Sequence, residues 1–262
     1  MKNLDGICKW VDLKKGFEPY MSASKLALFK NDLPMFVCKY GFGKKQQPSV
    51  AMNRGLIVED AVCAVLTKKL DVEQAILKAI NRFSSLYLIY DDEVNREYLN
   101  LDPMIRQSCE ALKDYGEPEF TENGKQERIE FTMSDKIHGW EIPIMGFLDL
   151  VFPECGAVVD LKTTTRMPST MSYDHMLQRA IYQKAKGNYK VEFLYVTPKK
   201  SEFKEDGEPN DLLEDARITI NQMNSFCNNL SPEQARKSLP IKDSFYWRGE
   251  EALKEFYNSE KE

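Results

Sequence analysis

Two periodicities divide the chain. From about residue 20 to 116 and again from about 209 to 262, apolar residues recur three or four apart, the spacing that turns one face of an α-helix toward a core. Between these stretches, from Gln126-Glu127-Arg128-Ile129-Glu130-Phe131 onward, apolar and polar positions alternate as strand residues do. The pattern is clearest over residues 146 to 162. Gly146-Phe147-Leu148-Asp149 leads an apolar run into Pro153-Glu154-Cys155-Gly156, and Ala157-Val158-Val159-Asp160-Leu161-Lys162 follows. Two apolar runs around a Pro/Gly break predict a tight β-hairpin. With the turn centred between Glu154 and Cys155, Val151 faces Val158, Asp149 faces Asp160, and Phe147 faces Lys162. Leu148, Leu150, Phe152, Ala157, Val159 and Leu161 then share one wholly apolar face, a core face. The opposite face gathers Asp149, Asp160 and Lys162.

The helical stretches carry their own start and stop signals. Ser22 or Ser24 caps a helix bearing Leu26, Leu28 and Phe29, Pro34 interrupts it, and a further turn covers 35–40 before a Gly, Lys, Gln and Pro-rich loop over 41–49. Residues 50–69 predict a helix whose apolar face is Leu56, Val58, Ala61, Val62, Val65 and Leu66. Glu59 lies inside that stripe. Gly55, costly in a helix, suggests that something approaches closely there. Asp71-Val72-Glu73-Gln74 resembles a capping box opening a helix to about Tyr90, and helical sequence restarted by Pro103 runs on to about 116. After a short strand around Trp140 and the hairpin, Ser172 caps a helix ending at Gly187. Leu177, Ala180, Ile181 and Lys184 form one side of it, and His175, Gln178 and Tyr182 an adjacent one. A strand over Lys190–Thr197, a charged loop over 199–210, and helices over 211–229, from Ser231-Pro232, and over 249–258 complete the chain. No repeat, heptad run or long linker interrupts it. The expectation is one α/β domain over 1–262, a central sheet wrapped by an N-terminal helical part (about 20–116) and a C-terminal helical extension (about 209–262).

The polar face of the hairpin is where chemistry enters. Two carboxylates directly opposite one another destabilise a sheet. A dication between Asp149 and Asp160 removes the repulsion, and oxygen ligands suit Mg²⁺ or Mn²⁺. Lys162 would place an ammonium beside it, able to stabilise charge on an attacking water or a phosphate oxygen. The competing reading is an ordinary surface hairpin with one Asp–Lys pair. Glu59 likewise either meets a cation or reaches water from the edge of its stripe. The stripe of His175, Gln178 and Tyr182 either contacts a nucleic-acid backbone or packs as a polar seam against the sheet. Glu127 or Glu130 either adds a carboxylate or faces solvent.

Bulk properties narrow the class. With 262 residues and 42% hydrophobic content the chain can bury a sizeable core. No run of 18 apolar residues occurs, so no membrane span is expected, and the start lacks an apolar signal segment. Six scattered cysteines (Cys8, Cys38, Cys63, Cys109, Cys155, Cys227) read as reduced and buried, in a cytoplasmic protein. Two histidines, His138 and His175, argue against a histidine-rich zinc site. A net charge of −5 counts against a generic nucleic-acid binder, although an acidic centre can coexist with a basic rim such as Lys44-Lys45, Lys68-Lys69 or Lys199-Lys200.

Helix with Glu59, then Gly146-x-x-Asp149, then Asp160-x-Lys162, then Gln178-x-x-x-Tyr182: this order resembles the PD-(D/E)xK nuclease superfamily, and within it the RecB-like branch with its RecB and AddB nuclease domains, CRISPR-associated nucleases and small phage exonucleases. Met21-Ser22-Ala23-Ser24, Pro34 and Tyr40 also look like that branch's N-terminal segment, so the resemblance spans about residues 20–200. It implies a restriction-endonuclease-like αβββαβ core with a mixed sheet flanked by helices. It implies Glu59, Asp149, Asp160 and the Leu161 carbonyl as ligands of one or two Mg²⁺ ions, with Mn²⁺ able to substitute, and Lys162 as the residue that positions and activates water. Gln178, Tyr182 and His175 would organise the site and the DNA backbone. The implied activity is phosphodiester hydrolysis, as a DNA exonuclease in recombination or repair, with an endonuclease or a non-catalytic DNA-binding protein of the same fold as alternatives. Implied partners are DNA, a single-strand annealing protein or a helicase, and a further copy of the chain as a homo-oligomer. The sequence departs from the pattern twice. Gly55 stands where many relatives carry histidine, an arrangement that looks like the lambda type of phage exonuclease. Cys227 is the only cysteine in the last 100 residues, so no iron–sulfur cluster is expected.

Overall fold

A computed structural model describes residues 4–10, 20–119 and 126–259. The fold is mixed α/β. Two antiparallel strands, β1 (Glu127–Asp135) and β2 (Trp140–Leu148), form one ladder, and β3 (Leu150–Phe152), β4 (Ala157–Thr163), β5 (Lys190–Val196) and β6 (Ser201–Lys204) form a four-stranded sheet in that order. β3–β4 and β5–β6 run antiparallel, while β4–β5 run parallel with a helix between them.

Helices cover both faces of that sheet. α1 (Asp5–Trp10), α2 (Ala23–Asn31), α3 (Leu33–Phe36), α8 (Tyr173–Lys186) and α9 (Pro209–Asn229) enclose one core with Val151, Val158, Val191 and Phe193. α4 (Val50–Leu66), α5 (Val72–Leu86), α6 (Asp92–Leu99) and α7 (Leu101–Leu112) enclose a second with Leu150, Phe152, Val159, Leu161 and Leu194. Neighbouring strand residues point to opposite faces, so a run of apolar residues buried on both sides supplies the two cores at once. α10 (Pro232–Ser238), a short 3₁₀ turn (Phe245–Trp247) and α11 (Glu251–Asn258) close over the first core. No described helix is long and apolar enough to cross a membrane.

Local signals place most element ends. Ser22 caps α2, Asp71 and Gln74 form a reciprocal capping box at α5, Ser172 caps α8, and Ser231 with Gln234 boxes α10. Gly187, at φ 59°, ends α8 in a conformation that a side chain would strain.

The hairpin register is as expected at Leu150–Val159, Val151–Val158 and Phe152–Ala157. It stops there. Phe147 pairs with Arg128 of β1, not with Lys162, because the chain bends at Asp149 and β2 joins the other ladder. All six residues expected on the core face are buried, but Leu148 falls in the first core and the other five in the second. The buried face of α4 is Arg54, Ile57, Val58, Ala61 and Val62, one position round from the expected stripe, and Leu56 is 53% exposed. Lys184 lies exposed, off the buried side of α8. α5 ends at Leu86 rather than Tyr90. The region expected as a charged loop contains β6, an edge strand whose Glu202 pairs with Lys200 at 3.2 Å and Lys204 at 2.5 Å. Its charges hid it, since edge strands carry them to discourage further pairing. The six cysteines are free thiols; Cys38 and Cys227 are buried, but Cys155, in the hairpin turn, is exposed.

Candidate functional site

Asp149 is the single residue between β2 and β3, and the bend there turns its carboxylate back onto the neighbouring strand. Its Oδ2 accepts the Leu161 N–H at 3.2 Å. Asp160, in the middle of β4, has no exposed surface. Its Oδ2 accepts from Gln178 Nε2 at 2.8 Å. Its Oδ1 lies 2.5 Å from Lys162 Nζ as an ion pair. Lys162, two residues along the same strand, points to the same side.

Glu59 arrives from the other helical layer. Arg54, one turn earlier on α4, is buried and donates to Thr163 O at 3.1 Å and Thr163 Oγ1 at 3.2 Å while ion-pairing with buried Glu97 of α6. These contacts tie α4 to the end of β4, directly after Lys162. Gly55 belongs to the same contact: a Cβ there would lie 3.2 Å from Thr163 Oγ1. The close approach suggested by the glycine is therefore that of β4.

Gln126, just before β1, joins the acids. Its Nε2 donates to Glu59 Oε1 at 2.8 Å and to Asp149 Oδ1 at 2.7 Å. Nothing in the sequence marks this residue, because a glutamine before a strand is ordinary. The two acids weighed as extra ligands lie elsewhere, Glu127 pairing with Lys186 at 3.0 Å and Glu130 with Arg128 at 2.5 Å.

The polar stripe of α8 faces the sheet. Gln178 bonds Asp160 and, at 2.6 Å, the Tyr182 hydroxyl. Tyr182 is buried and donates to the Phe147 carbonyl. His175 Nδ1 meets the Tyr195 hydroxyl, and burial with the nearby Lys162 charge lowers the ring's pKa to about 4. His175 is therefore neutral at neutral pH and brings no positive charge to a phosphate. Gly146 is needed where Tyr182 crosses β2: an added Cβ would stand 2.7 Å from Tyr182 Cε1. Gly146→Ala is expected to cost about 1–3 kcal/mol, the range for overpacking a close contact, read as a lowered urea midpoint at unchanged m-value.

Electrostatically the cluster is short of positive charge. Burial, then the Asp160 charge, pushes Glu59 up to about 7 and Asp149 well above the usual carboxylate range. Burial opposes the Lys162 charge, but Asp160 and Asp149 outweigh it and hold the ammonium protonated. Three acids share one lysine. Among the described residues, no group of three or more His, Cys, Asp or Glu side chains is spaced to hold a metal ion, and the Gln126 amide stands between Glu59 and Asp149. The donor chemistry nevertheless suits a hard dication: the acids offer oxygens only, and three carboxyl groups stand against one ammonium.

Asp149, Gln178 and Tyr182 line a cleft of about 590 Å³, together with Tyr20, Ser22, Ser24, Lys39, Phe147, His175 and Phe245. The anticipated basic pairs do not line it: Lys68 pairs with Glu117 at 3.7 Å, Lys200 with Glu202, and Lys44 lies over the Phe256 ring.

No family model and no curated protein matches the chain. Among solved structures, the crystal structure of SSO0001 aligns with 73% of this chain and 87% of its own at 14% identity, with a TM-score of 0.35.

Proposed function

We propose that this chain is a metal-dependent DNA nuclease with a PD-(D/E)xK core, cleaving phosphodiester bonds from DNA ends. The observation that carries the reading is the convergence of Glu59 from α4, Asp149 from the bend between β2 and β3, and Asp160 and Lys162 from β4 into one electron-rich cluster beside an open cleft. Stability alone does not select such a cluster, because buried like charges destabilise a fold.

Glu59, Asp149 and Asp160, with the Leu161 carbonyl, are the groups that would hold Mg²⁺ or Mn²⁺ after the Gln126 amide swings away. When bound, the ion would supply charge neutralisation at a phosphate oxygen and make water more acidic. The chain's own contribution is positional and electrostatic. Lys162, kept protonated, donates to developing negative charge and is not a base. Gln178 fixes the Asp160 carboxylate that holds Lys162, and Tyr182 fixes Gln178 against β2.

The deciding experiment is digestion of end-labelled linear and circular single-stranded DNA in Mg²⁺, Mn²⁺ and EDTA. Cleavage of the linear substrate alone, abolished by EDTA, is the expected result. Cleavage of the circle means an endonuclease, and no cleavage with either ion rejects the reading.

Stability should report the same cluster. Glu59 and Asp149 have raised folded-state pKa values, so the stability they contribute is present below their unfolded values and lost as pH rises toward and through about 7. In EDTA the melting temperature is expected to fall between pH 5 and pH 8. Mg²⁺ at about 100 times its Kd should restore about 2.7 kcal/mol, or roughly 5–10 °C, at pH 8 and much less at pH 5. Equal Mg²⁺ shifts at both pH values would contradict this placement of the ion.

A further inference from the structure

The cleft beside the acids has an aromatic wall that the chemistry above does not use. Phe245 is 66% exposed and Phe147 is 52% exposed, and both line the cleft with Asp149. Phe245 does not hang from a loose tail. Its neighbour Trp247 is buried and donates to buried Asp32 at 3.1 Å, and Ser244 donates to the other oxygen of Asp32. The carbonyl of Tyr246 accepts from Gln46 at 2.7 Å, and the Phe245 and Tyr246 rings lie 3.9 Å apart between centroids at 32°. The segment is pinned on both sides of Phe245 while that ring stays in solvent. Phe147 is fixed in a similar way, its backbone paired to Arg128 and its carbonyl held by Tyr182.

An exposed aromatic ring on a rigid support costs the fold burial it would otherwise gain, and its flat face suits another flat face. We propose that Phe245, backed by Tyr246, and Phe147 form a stacking platform for unpaired bases of single-stranded DNA entering the cleft. The proposal deepens the nuclease reading and rests on it for the choice of DNA. Duplex bases are already stacked on each other, so only unpaired ones have faces to offer. Lys39 and Gln46, in the same cleft, supply donors for the sugar–phosphate chain, and the net charge of −5 makes non-specific electrostatic adhesion a poor substitute for stacking.

The test is anisotropy of a dye-labelled oligothymidylate and of an abasic strand of the same length and charge, with the full chain in EDTA at fixed salt. The parent is expected to prefer the thymidylate. Phe245→Ala should weaken that binding roughly tenfold, within the range for loss of one base–ring stack, and leave the abasic strand unaffected, while Phe245→Trp keeps the preference. Equal binding of both strands by the parent, no binding of either, or an unchanged preference in Phe245→Ala overturns the platform. Cleavage of linear DNA by a parent that shows no preference rejects the platform and keeps the nuclease. A preference lost in Phe245→Ala, in a parent that never cleaves, supports the platform and rejects the nuclease.

Discussion

Lys162→Ala is expected to lower DNA cleavage about 10²- to 10³-fold, the range for removing one preorganised donor aimed at charge that develops in a transition state. The geometry sets this size. Lys162 is the cation that touches the Asp160 carboxylate, and that carboxylate is wholly buried with its second oxygen already taken by Gln178. Alanine therefore removes the ammonium without offering a replacement from the described residues around it. The same change leaves an uncompensated buried acid, so loss of activity must be separated from loss of fold. Thermal melts in Mg²⁺ make that separation, because a bound dication should offset the missing charge. Parent-like cleavage by folded Lys162→Ala would remove Lys162 from the proposed mechanism.

Arg54→Ala is expected to have the largest effect on stability, about 3–5 kcal/mol, the cost of leaving one partner of a buried ion pair alone. Both Arg54 and Glu97 are 3% exposed, and Arg54 also bonds Thr163 at the end of β4. Such a loss is a large part of the 5–15 kcal/mol typical of a folded domain. Urea denaturation measures it. The double variant Arg54→Met with Glu97→Leu should recover much of the stability, since it removes both charges. It should not recover cleavage in full, because the tie from α4 to Thr163 that positions Glu59 is gone. A single variant as stable as the parent would show that the pair is not a structural anchor.

Much of this was legible in the sequence because helix caps and strand alternation act locally. Ser22, Asp71, Ser172 and Ser231 each start a helix where the residue types indicate, and the hairpin register at Val151–Val158 follows from the turn alone. What alternation does not reveal is which strand a residue pairs with once the chain bends. A straight hairpin puts Phe147 opposite Lys162, whereas the bend at Asp149 hands it to Arg128. Apolar spacing alone puts Leu56 on the buried face of α4, but a long polar side chain, Arg54, occupies that face through its ion pair with Glu97. Gln126 was invisible for a different reason: its contacts to Glu59 and Asp149 span 67 and 23 positions, and no local pattern encodes them.

The outer strand β6 has a consequence for how the protein behaves in concentrated solution. Lys200, just before it, and Glu202 and Lys204 within it alternate in sign along one margin of the sheet, and an incoming strand from another molecule would have to desolvate and match them. The four-stranded sheet thus ends in a fence of ions that favours solubility over fibre growth.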